Sequence, residues 1–128
     1  MPSPSPDDTV GEIIAAAIAV HSEVGPGLLE SAYAACMRFE LAERGLRVRS
    51  QVPLPIIYRG HEIDAAYRID LLIEDVFVVE TKTVAKLLPI HEAQLLSYLR
   101  LSGRRVGLLL NFHAPRMRDG IKRMVNGW

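Results

Sequence analysis

The sequence lacks several features that mark common classes of protein. It has a single cysteine, Cys36, so no disulfide can form within the chain, which fits a reducing compartment. The apolar run at residues 13–20 is too short to cross a bilayer, and the opening MPSPSPDD has none of the basic residues typical of an export signal. We therefore expect a cytoplasmic protein with no membrane partner.

Motifs built from histidine or cysteine are also missing. His21, His61 and His113 show no spacing typical of a zinc site, and neither a zinc finger nor a helix-turn-helix is evident. The sequence therefore gives no sign of sequence-specific DNA reading. It also shows no repeat and no internal domain boundary, which predicts a single domain at 9–128, and the Pro/Ser-rich opening predicts a flexible segment at 1–8.

What the chain does contain is charge inside two apolar segments. Asp70 lies in the run YRIDLLI, and Glu80 and Lys82 lie in the run VFVVETKTV. Moving a carboxylate or an ammonium out of water is costly, so these groups need partners of opposite charge or a metal ion. Because no cysteine or histidine is near, the carboxylate oxygens suit a hard divalent ion such as Mg²⁺ or Mn²⁺.

Strand geometry predicts that these charges share one face of a hairpin. Side chains alternate along a strand, so Glu80 and Lys82 point the same way, and a three-residue loop at 74–76 sets Asp70 opposite Glu80. The same register gives three pairs on the other face that form a nearly all-apolar surface, namely Ile73 with Phe77, Leu71 with Val79 and Ile69 with Thr81. A two-residue loop would instead place Asp70 and Glu80 on different faces. The alternative to a functional site is a hairpin at the sheet edge whose charges are simply solvated.

The periodicity of apolar residues predicts an α/β domain. Helices are expected at 8–22, 28–44 and 90–102, and strands at 47–58, 62–73, 77–84 and 106–111. Asp8 or Thr9 is the expected N-cap of the first helix. Pro53 and Pro55 indicate that the first strand lies at a sheet edge. Residues 112–128 read as a tail.

Two helical stripes carry polar side chains. Glu30 and Tyr33 are three residues apart and project from one side of the second helix, and His91, Gln94 and Tyr98 follow one side of the third. If these stripes lie beside the charged hairpin, Glu30 is a further candidate ligand and Gln94 can hold a water or a phosphate. Tyr33, His91 and Tyr98 are expected to be auxiliary residues. Ordinary helix surface produces similar spacings.

Positive charge is concentrated at the end of the chain. Residues 98–128 hold seven basic side chains against one acidic side chain, although the formal net charge of the whole chain is zero. We interpret these seven side chains as a phosphate-attracting patch beside the acidic site, with Arg100, Arg104 and Arg105 as the nucleic-acid-binding residues. The other four are Arg116, Arg118, Lys122 and Arg123. A solvated surface with no such role is the alternative.

Four segments together resemble a known family. Residues 27–33 read G-x-x-E-x-x-Y, and they are followed by the Asp70 strand, by Glu80-Thr81-Lys82 and by the helix segment HEAQLLSYL. In this order, from about Val10 to the ending GLLLNF, the chain resembles the GxxExxY family of the PD-(D/E)xK nuclease-like superfamily.

The resemblance implies a fold and a set of roles. The fold is a restriction-endonuclease-like three-layer α/β core, in which helices flank a mixed central sheet of about four strands. By resemblance, Asp70 and Glu80 are metal ligands, Glu30 is the helix-borne acid, Lys82 activates water or stabilises charge, and Gln94 is an auxiliary polar group. Thr81 departs from the apolar residue expected between acid and lysine, but its backbone carbonyl remains the expected metal ligand.

These observations predict a magnesium-dependent nuclease acting on DNA, with RNA as the second choice and Mn²⁺ as the alternative ion. The complete set of acids, lysine and glutamine favours this enzyme. A non-catalytic module that binds nucleic acid or another protein, while keeping the fold, is the alternative, because a fold alone does not establish activity. Association into a homo-oligomer stays open.

Overall fold

The computed structural model describes residues 5–127. In chain order its elements are α1 (Pro6–Val24), α2 (Glu30–Glu43), β1 (Val48–Pro53), β2 (Ile56–Tyr58), β3 (His61–Ile63), β4 (Arg68–Ile73), β5 (Phe77–Lys82), α3 (Pro89–Ser102), β6 (Val106–Asn111), a 3₁₀ turn (Met117–Gly120) and β7 (Ile121–Val125). Residues 1–4 of the expected flexible segment lie outside the described residues, whereas residues 6–8 belong to α1.

Five of these strands form one mixed sheet, in the order β1-β4-β5-β6-β7. Strands β5 and β6 are parallel, as their connection through α3 requires, and the other neighbours are antiparallel. The predicted three-layer α/β fold is confirmed, with five strands in the sheet instead of about four. Within the described residues, no helix is long and apolar enough to cross a membrane.

Two apolar cores hold the layers together. The α1/α2 core joins the first two helices to one face of the sheet through Ile13, Tyr33, Met37, Leu71, Val79, Leu108 and Phe112. The α3 core joins the third helix to the opposite face through Ile69, Leu72, Val78, Leu95, Leu99 and Leu109. Strands β5 and β6 are buried on both faces, as expected of parallel neighbours in such a fold.

The first helix begins earlier than the sequence predicts. Its N-cap is Ser5, whose Oγ accepts the Asp8 N–H at 3.2 Å, while the Ser5 N–H donates to the Asp8 carboxylate at 3.3 Å. The prediction of Asp8 or Thr9 as the cap is wrong, because Pro6 is well suited to the first helical position and Asp8 completes a capping box from inside the helix.

Two predicted strands are each divided in the structure. The first breaks between β1 and β2, where Pro53 and Pro55 cannot donate to a ladder, and β1 lies at the sheet edge as predicted. The second breaks between β3 and β4, where Asp64 accepts the Ala66 N–H at 2.9 Å and Ala66 has a φ of 63°. Strands β2 and β3 therefore form a separate two-stranded hairpin.

The end of the chain is not a tail. Residues 121–125 form β7, which pairs antiparallel with β6 at the second edge of the sheet. The interpretation as a tail is wrong because the segment IKRMV is short and its two adjacent cations hide the alternation of a strand that faces solvent.

Candidate active site

The hairpin of β4 and β5 follows the predicted register over part of its length. Leu71 pairs with Val79 and Ile73 with Phe77, across the expected three-residue loop. The ladder ends there, and the predicted pairing of Ile69 with Thr81 is wrong. Ile69 instead packs in the α3 core, on the other face of the sheet from Leu71. The interruption falls at Asp70.

The ladder is interrupted because strand β1 changes which of its side chains face each side of the sheet. Val48 of β1 packs on the α1/α2 core, but Val52, four residues on, packs on the α3 core. The change occurs at Gln51, which lies opposite Asp70 in the neighbouring strand. The φ angle of Gln51 is 51°. Because alternation is broken in both strands at this point, β4 ceases to pair with β5 by its backbone, and the Asp70 side chain takes over that contact.

Asp70 replaces the missing strand contact with its carboxylate. One oxygen, Oδ2, accepts the backbone N–H of Thr81 at 3.0 Å and the Thr81 hydroxyl at 3.1 Å. The other, Oδ1, accepts the side-chain amide of Gln51 at 3.5 Å. Thr81, which departs from the expected apolar residue, therefore adds a hydrogen bond that fixes the acid, one that valine could not make.

Glu80 lies against Asp70 and is almost fully buried, with 4% of its surface exposed. Its Oε1 accepts the backbone N–H of Asp70 at 3.4 Å. The pKa of Glu80 is raised to about 9, mainly by burial and next by the neighbouring Asp70 carboxylate. The Lys82 charge opposes this rise only weakly. The structure thus brings the two predicted acids together in a site short of positive charge.

Lys82 and α3 form a polar chain beside the acids. The Lys82 ammonium donates to Gln94 Oε1 at 3.0 Å, and Gln94 Nε2 donates to the Tyr98 hydroxyl at 3.3 Å. The pKa of Tyr98 is raised, first because the hydroxyl is partly buried and then because of the Glu80 charge. Three residues selected from the sequence therefore face the acid pair from one side.

Glu30 has a different environment. It is exposed at the first position of α2, and no group of three Asp, Glu, His or Cys side chains suited to a metal ion occurs in the part of the chain that the structure describes. The Tyr33 hydroxyl donates to the Gly25 carbonyl at 2.5 Å and accepts the Leu28 N–H at 3.1 Å. Tyr33 is buried and stacks on Phe112, so it fixes the loop that leads to Glu30.

The remaining predicted residues are dispersed. His91 accepts the Leu88 N–H through Nδ1 at 2.9 Å and so caps the start of α3. Arg104 binds Asp75 in the β4–β5 loop, with a closest distance of 2.6 Å. Arg105 precedes β6, next to the start of β5. Both arginines therefore lie at the end of the sheet opposite Glu80.

Other cations lie at the end of the sheet where the acids are. Lys86 follows β5, and Arg116 and Arg118 follow β6, so all three leave the carboxyl ends of the two parallel strands. Each is exposed, and none forms an ion pair within residues 5–127. The sequence placed Arg116 and Arg118 in the basic cluster at the end of the chain, but sequence reasoning missed Lys86, although its position just after the predicted strand at 77–84 was a usable signal.

Asn111 is a second residue that sequence reasoning missed. It is buried at the end of β6, paired with Lys82 across the parallel ladder. Its Oδ1 accepts the N–H groups of Val84 and His113, and its Nδ2 donates to the Val84 carbonyl at 2.9 Å. Asn111 therefore fixes the segment that leaves β5 behind Lys82. A single amide that ends an otherwise apolar strand was the available signal.

Comparison with known proteins gives a family assignment. The model of the PD-(D/E)XK nuclease superfamily matches residues 7–124, from the second residue of α1 to the last but one residue of β7. Searches of curated proteins and of solved structures gave no match. The narrower GxxExxY assignment stays a prediction. The family match spans nearly the whole chain and includes the acid pair, Lys82 and Gln94, and the chain belongs to the PD-(D/E)XK nuclease superfamily.

Proposed function

We propose that the protein is a nuclease that hydrolyses phosphodiester bonds with a divalent ion, Mg²⁺ or Mn²⁺, and that its substrate is DNA in preference to RNA. The observation that carries the proposal is the buried Glu80 carboxylate beside Asp70, with Lys82 held on the same face of β5 by Gln94. PD-(D/E)XK nucleases generally use divalent metal ions. A site with this charge distribution suits the same chemistry.

The donor set fits a hard divalent cation. Asp70 and Glu80 supply carboxylate oxygens, and the pKa of Glu80 rises to about 9 because it is buried and lies beside the Asp70 carboxylate, so a cation in the site would relieve both effects. In an extended strand the N–H and C=O of one residue point the same way, and the Thr81 N–H points to Asp70. The Thr81 carbonyl is therefore the proposed third oxygen. Glu30 is proposed as the acid that reaches a further ion.

The chain's own residues have separable roles in this proposal. Lys82 offsets the negative charge that develops at the phosphate in the transition state, and Gln94 orients Lys82 through the 3.0 Å hydrogen bond. Tyr98 holds Gln94 in turn. When bound, a divalent ion supplies Lewis acidity for the hydrolysis. The segment fixed by Asn111 keeps Lys82 in place at the end of β5.

The test is cleavage of single-stranded DNA, duplex DNA, branched DNA and RNA with Mg²⁺ or Mn²⁺. Asp70→Asn, Glu80→Gln and Lys82→Ala are each expected to reduce kcat by about a hundred-fold or more, because each removes a group that acts on the transition state. Lys122→Ala is the matched control, since Lys122 lies exposed on β7.

Binding separates this proposal from the non-catalytic alternative. Lys82→Ala is expected to keep most of its affinity for nucleic acid, because its role is confined to the reaction. If the wild-type protein binds nucleic acid tightly, cuts none of the four substrates with either ion, and behaves like Lys82→Ala, the protein is a binding module and the enzyme proposal is wrong.

A further inference from the structure

An open groove lies between α3 and the segments around the β2–β3 hairpin. Its volume is about 630 Å³. Its lining consists of Ile56, Tyr67, Ile90, His91, Ala93, Gln94, Ser97, Tyr98, Arg100 and Leu101. Gln94 and Tyr98 belong to both the groove and the polar chain that ends at Lys82. The groove is therefore continuous with the candidate active site.

The groove exposes apolar and aromatic surface to solvent. Tyr67 is 41% exposed, and its ring packs edge to face on Tyr98 with 6.0 Å between centroids. Ile90 and Leu101 are also exposed along the helix. Most of the lining surface is apolar, although His91, Gln94 and Ser97 add polar groups and Arg100 adds an exposed charge. A mainly apolar and aromatic lining with some polar groups is typical of a site that binds a small organic group.

We propose that this groove binds an unpaired nucleobase of the substrate, next to the phosphodiester that is cut, and that the substrate is therefore single-stranded or locally unpaired nucleic acid. The proposal rests on the proposed function, because the groove and the site share Gln94 and Tyr98. A base stacks on an aromatic ring whatever its identity, and Arg100 has the charge that attracts a neighbouring phosphate.

The volume and the position favour a base over other occupants. A groove of about 630 Å³ is within the range of small-ligand pockets and has room for a nucleotide. A base within a duplex is paired and stacked, so it reaches such a groove only after it is extruded, and extrusion costs stacking and pairing. Unpaired nucleotides avoid this cost. The groove therefore predicts a preference for single strands.

Tyr67→Ala tests the groove directly, with Tyr58→Ala as its matched control. Tyr58 is an exposed tyrosine on the neighbouring hairpin and does not line the groove. In a Lys82→Ala background, fluorescence anisotropy with a labelled single-stranded oligonucleotide should show about ten-fold weaker binding for Tyr67→Ala and little change for Tyr58→Ala. Tyr67→Trp should restore binding.

An oligomer of the same length with abasic sugars separates base binding from phosphate binding. Tyr67→Ala should not weaken its binding, because it has no base to stack. Equal affinity of wild type and Tyr67→Ala for the normal oligonucleotide, with melting temperatures showing that both are folded, would overturn the proposal. A groove that binds a peptide instead would give this result.

Cleavage distinguishes failure of the groove from failure of the enzyme. With Mg²⁺, the wild type should cut single-stranded DNA at least about ten-fold faster than blunt duplex, and Tyr67→Ala should reduce this ratio. Equal rates on the two substrates, unchanged in Tyr67→Ala, would contradict the groove proposal. If the wild type cuts nothing, the proposed function fails, and the anisotropy comparison still decides what the groove binds.

Discussion

The burial of the Glu80 carboxyl group lowers the stability of the fold at neutral pH. A carboxyl group with 4% exposure loses most of its hydration, and the adjacent Asp70 adds repulsion. Without a cation in the site, the pKa of about 9 keeps Glu80 protonated at neutral pH. A divalent ion must displace that proton, so metal affinity should increase with pH.

The raised pKa of Glu80 has a defined effect on stability. Because the folded value of about 9 exceeds the ordinary 4.5, its contribution to stability is fully present below about pH 4.5 and is lost as pH rises toward 9. In EDTA, Glu80→Gln should become more stable than wild type as pH increases, by at most about 1.4 kcal/mol per pH unit. Urea unfolding from pH 5 to 9 measures the difference.

Glu30→Gln is the matched control for that measurement, because Glu30 is exposed. Its unfolding free energy should follow wild type across the whole range. A difference between Glu80→Gln and wild type that stays constant from pH 5 to 9 would contradict the burial argument. Millimolar Mg²⁺ should stabilise the wild type and leave Glu80→Gln nearly unchanged, since an ion that binds only the folded state raises stability.

Thr81 gives a second test at the same scale. Thr81→Val keeps the shape and the backbone N–H but removes the hydroxyl that Asp70 accepts at 3.1 Å. We expect about 1 kcal/mol lower stability and a several-fold lower cleavage rate, because the carboxylate is less fixed. Thr83→Val is the control, because it removes a half-buried threonine hydroxyl just after the end of β5. Unchanged cleavage with unchanged metal affinity would show that the hydroxyl has no part in positioning Asp70.

Part of this arrangement was predictable from sequence. The alternation of β5 and the three-residue loop indicated that Asp70 and Glu80 lie together, and they do. The change of side at Gln51 was not predictable, because glutamine is not among the residue types that favour a positive φ. That local backbone event is what turns the Asp70 carboxylate toward the Thr81 N–H.

At the level of elements, the start of α2 depends on one side chain. Tyr33→Phe keeps the stacking on Phe112 at 4.4 Å but loses both hydrogen bonds to the loop that precedes Glu30. We expect roughly 1–2 kcal/mol lower stability and lower cleavage, because the Leu28 N–H loses its partner and Glu30 is less well positioned. Thermal unfolding and the cleavage assay measure the two effects.

Tyr58→Phe serves as the control for that change, since it removes a tyrosine hydroxyl from an exposed position. Lower stability of Tyr33→Phe with full cleavage would mean that Glu30 has no role in the reaction. The motif G-x-x-E-x-x-Y then reflects the fold of the α1–α2 loop alone. The sequence indicated that Glu30 and Tyr33 share a side of the helix, but it could not show that the tyrosine turns back to Gly25.

Elements were predicted well where burial is strong and poorly where it is weak. Strands β5 and β6 are apolar on both faces, and both were predicted. Strand β7 is an exposed edge with two cations, and it was missed. The divisions at residues 54–55 and 64–67 depend on local turns, which interrupt a run of β-forming residues without changing its composition.

At the level of the whole molecule, the fold redistributes the positive charge of residues 98–128. Arg104 is paired with Asp75 at one end of the sheet, and Arg116 and Arg118 lie at the other end with the acid pair. The double variant Arg116→Ala/Arg118→Ala should weaken binding and lower the slope of log affinity against log salt by about 1.4 on single strands, if each arginine contacts one phosphate.

The matched double variant is Arg104→Ala/Arg105→Ala, which removes the same charge from the far end of the sheet. It should lower stability through the lost contact with Asp75 and change the salt slope less. If Arg104→Ala/Arg105→Ala changes the salt slope more than Arg116→Ala/Arg118→Ala does, the nucleic-acid-binding surface includes Arg104 and Arg105 instead. Sequence reasoning grouped these residues because clustering along the chain does not reveal which end of a sheet each one occupies.

The two outer strands also govern how the protein behaves at high concentration. An exposed strand edge is a template on which further chains can add and aggregate. In β1, Pro53 lacks an N–H and Gln51 interrupts the extended backbone, while in β7 the adjacent Lys122 and Arg123 bring charge to the edge. Both edges therefore resist fibril-like growth of the sheet, so the charges of β7 oppose aggregation in addition to the phosphate binding that is proposed for the basic end of the chain.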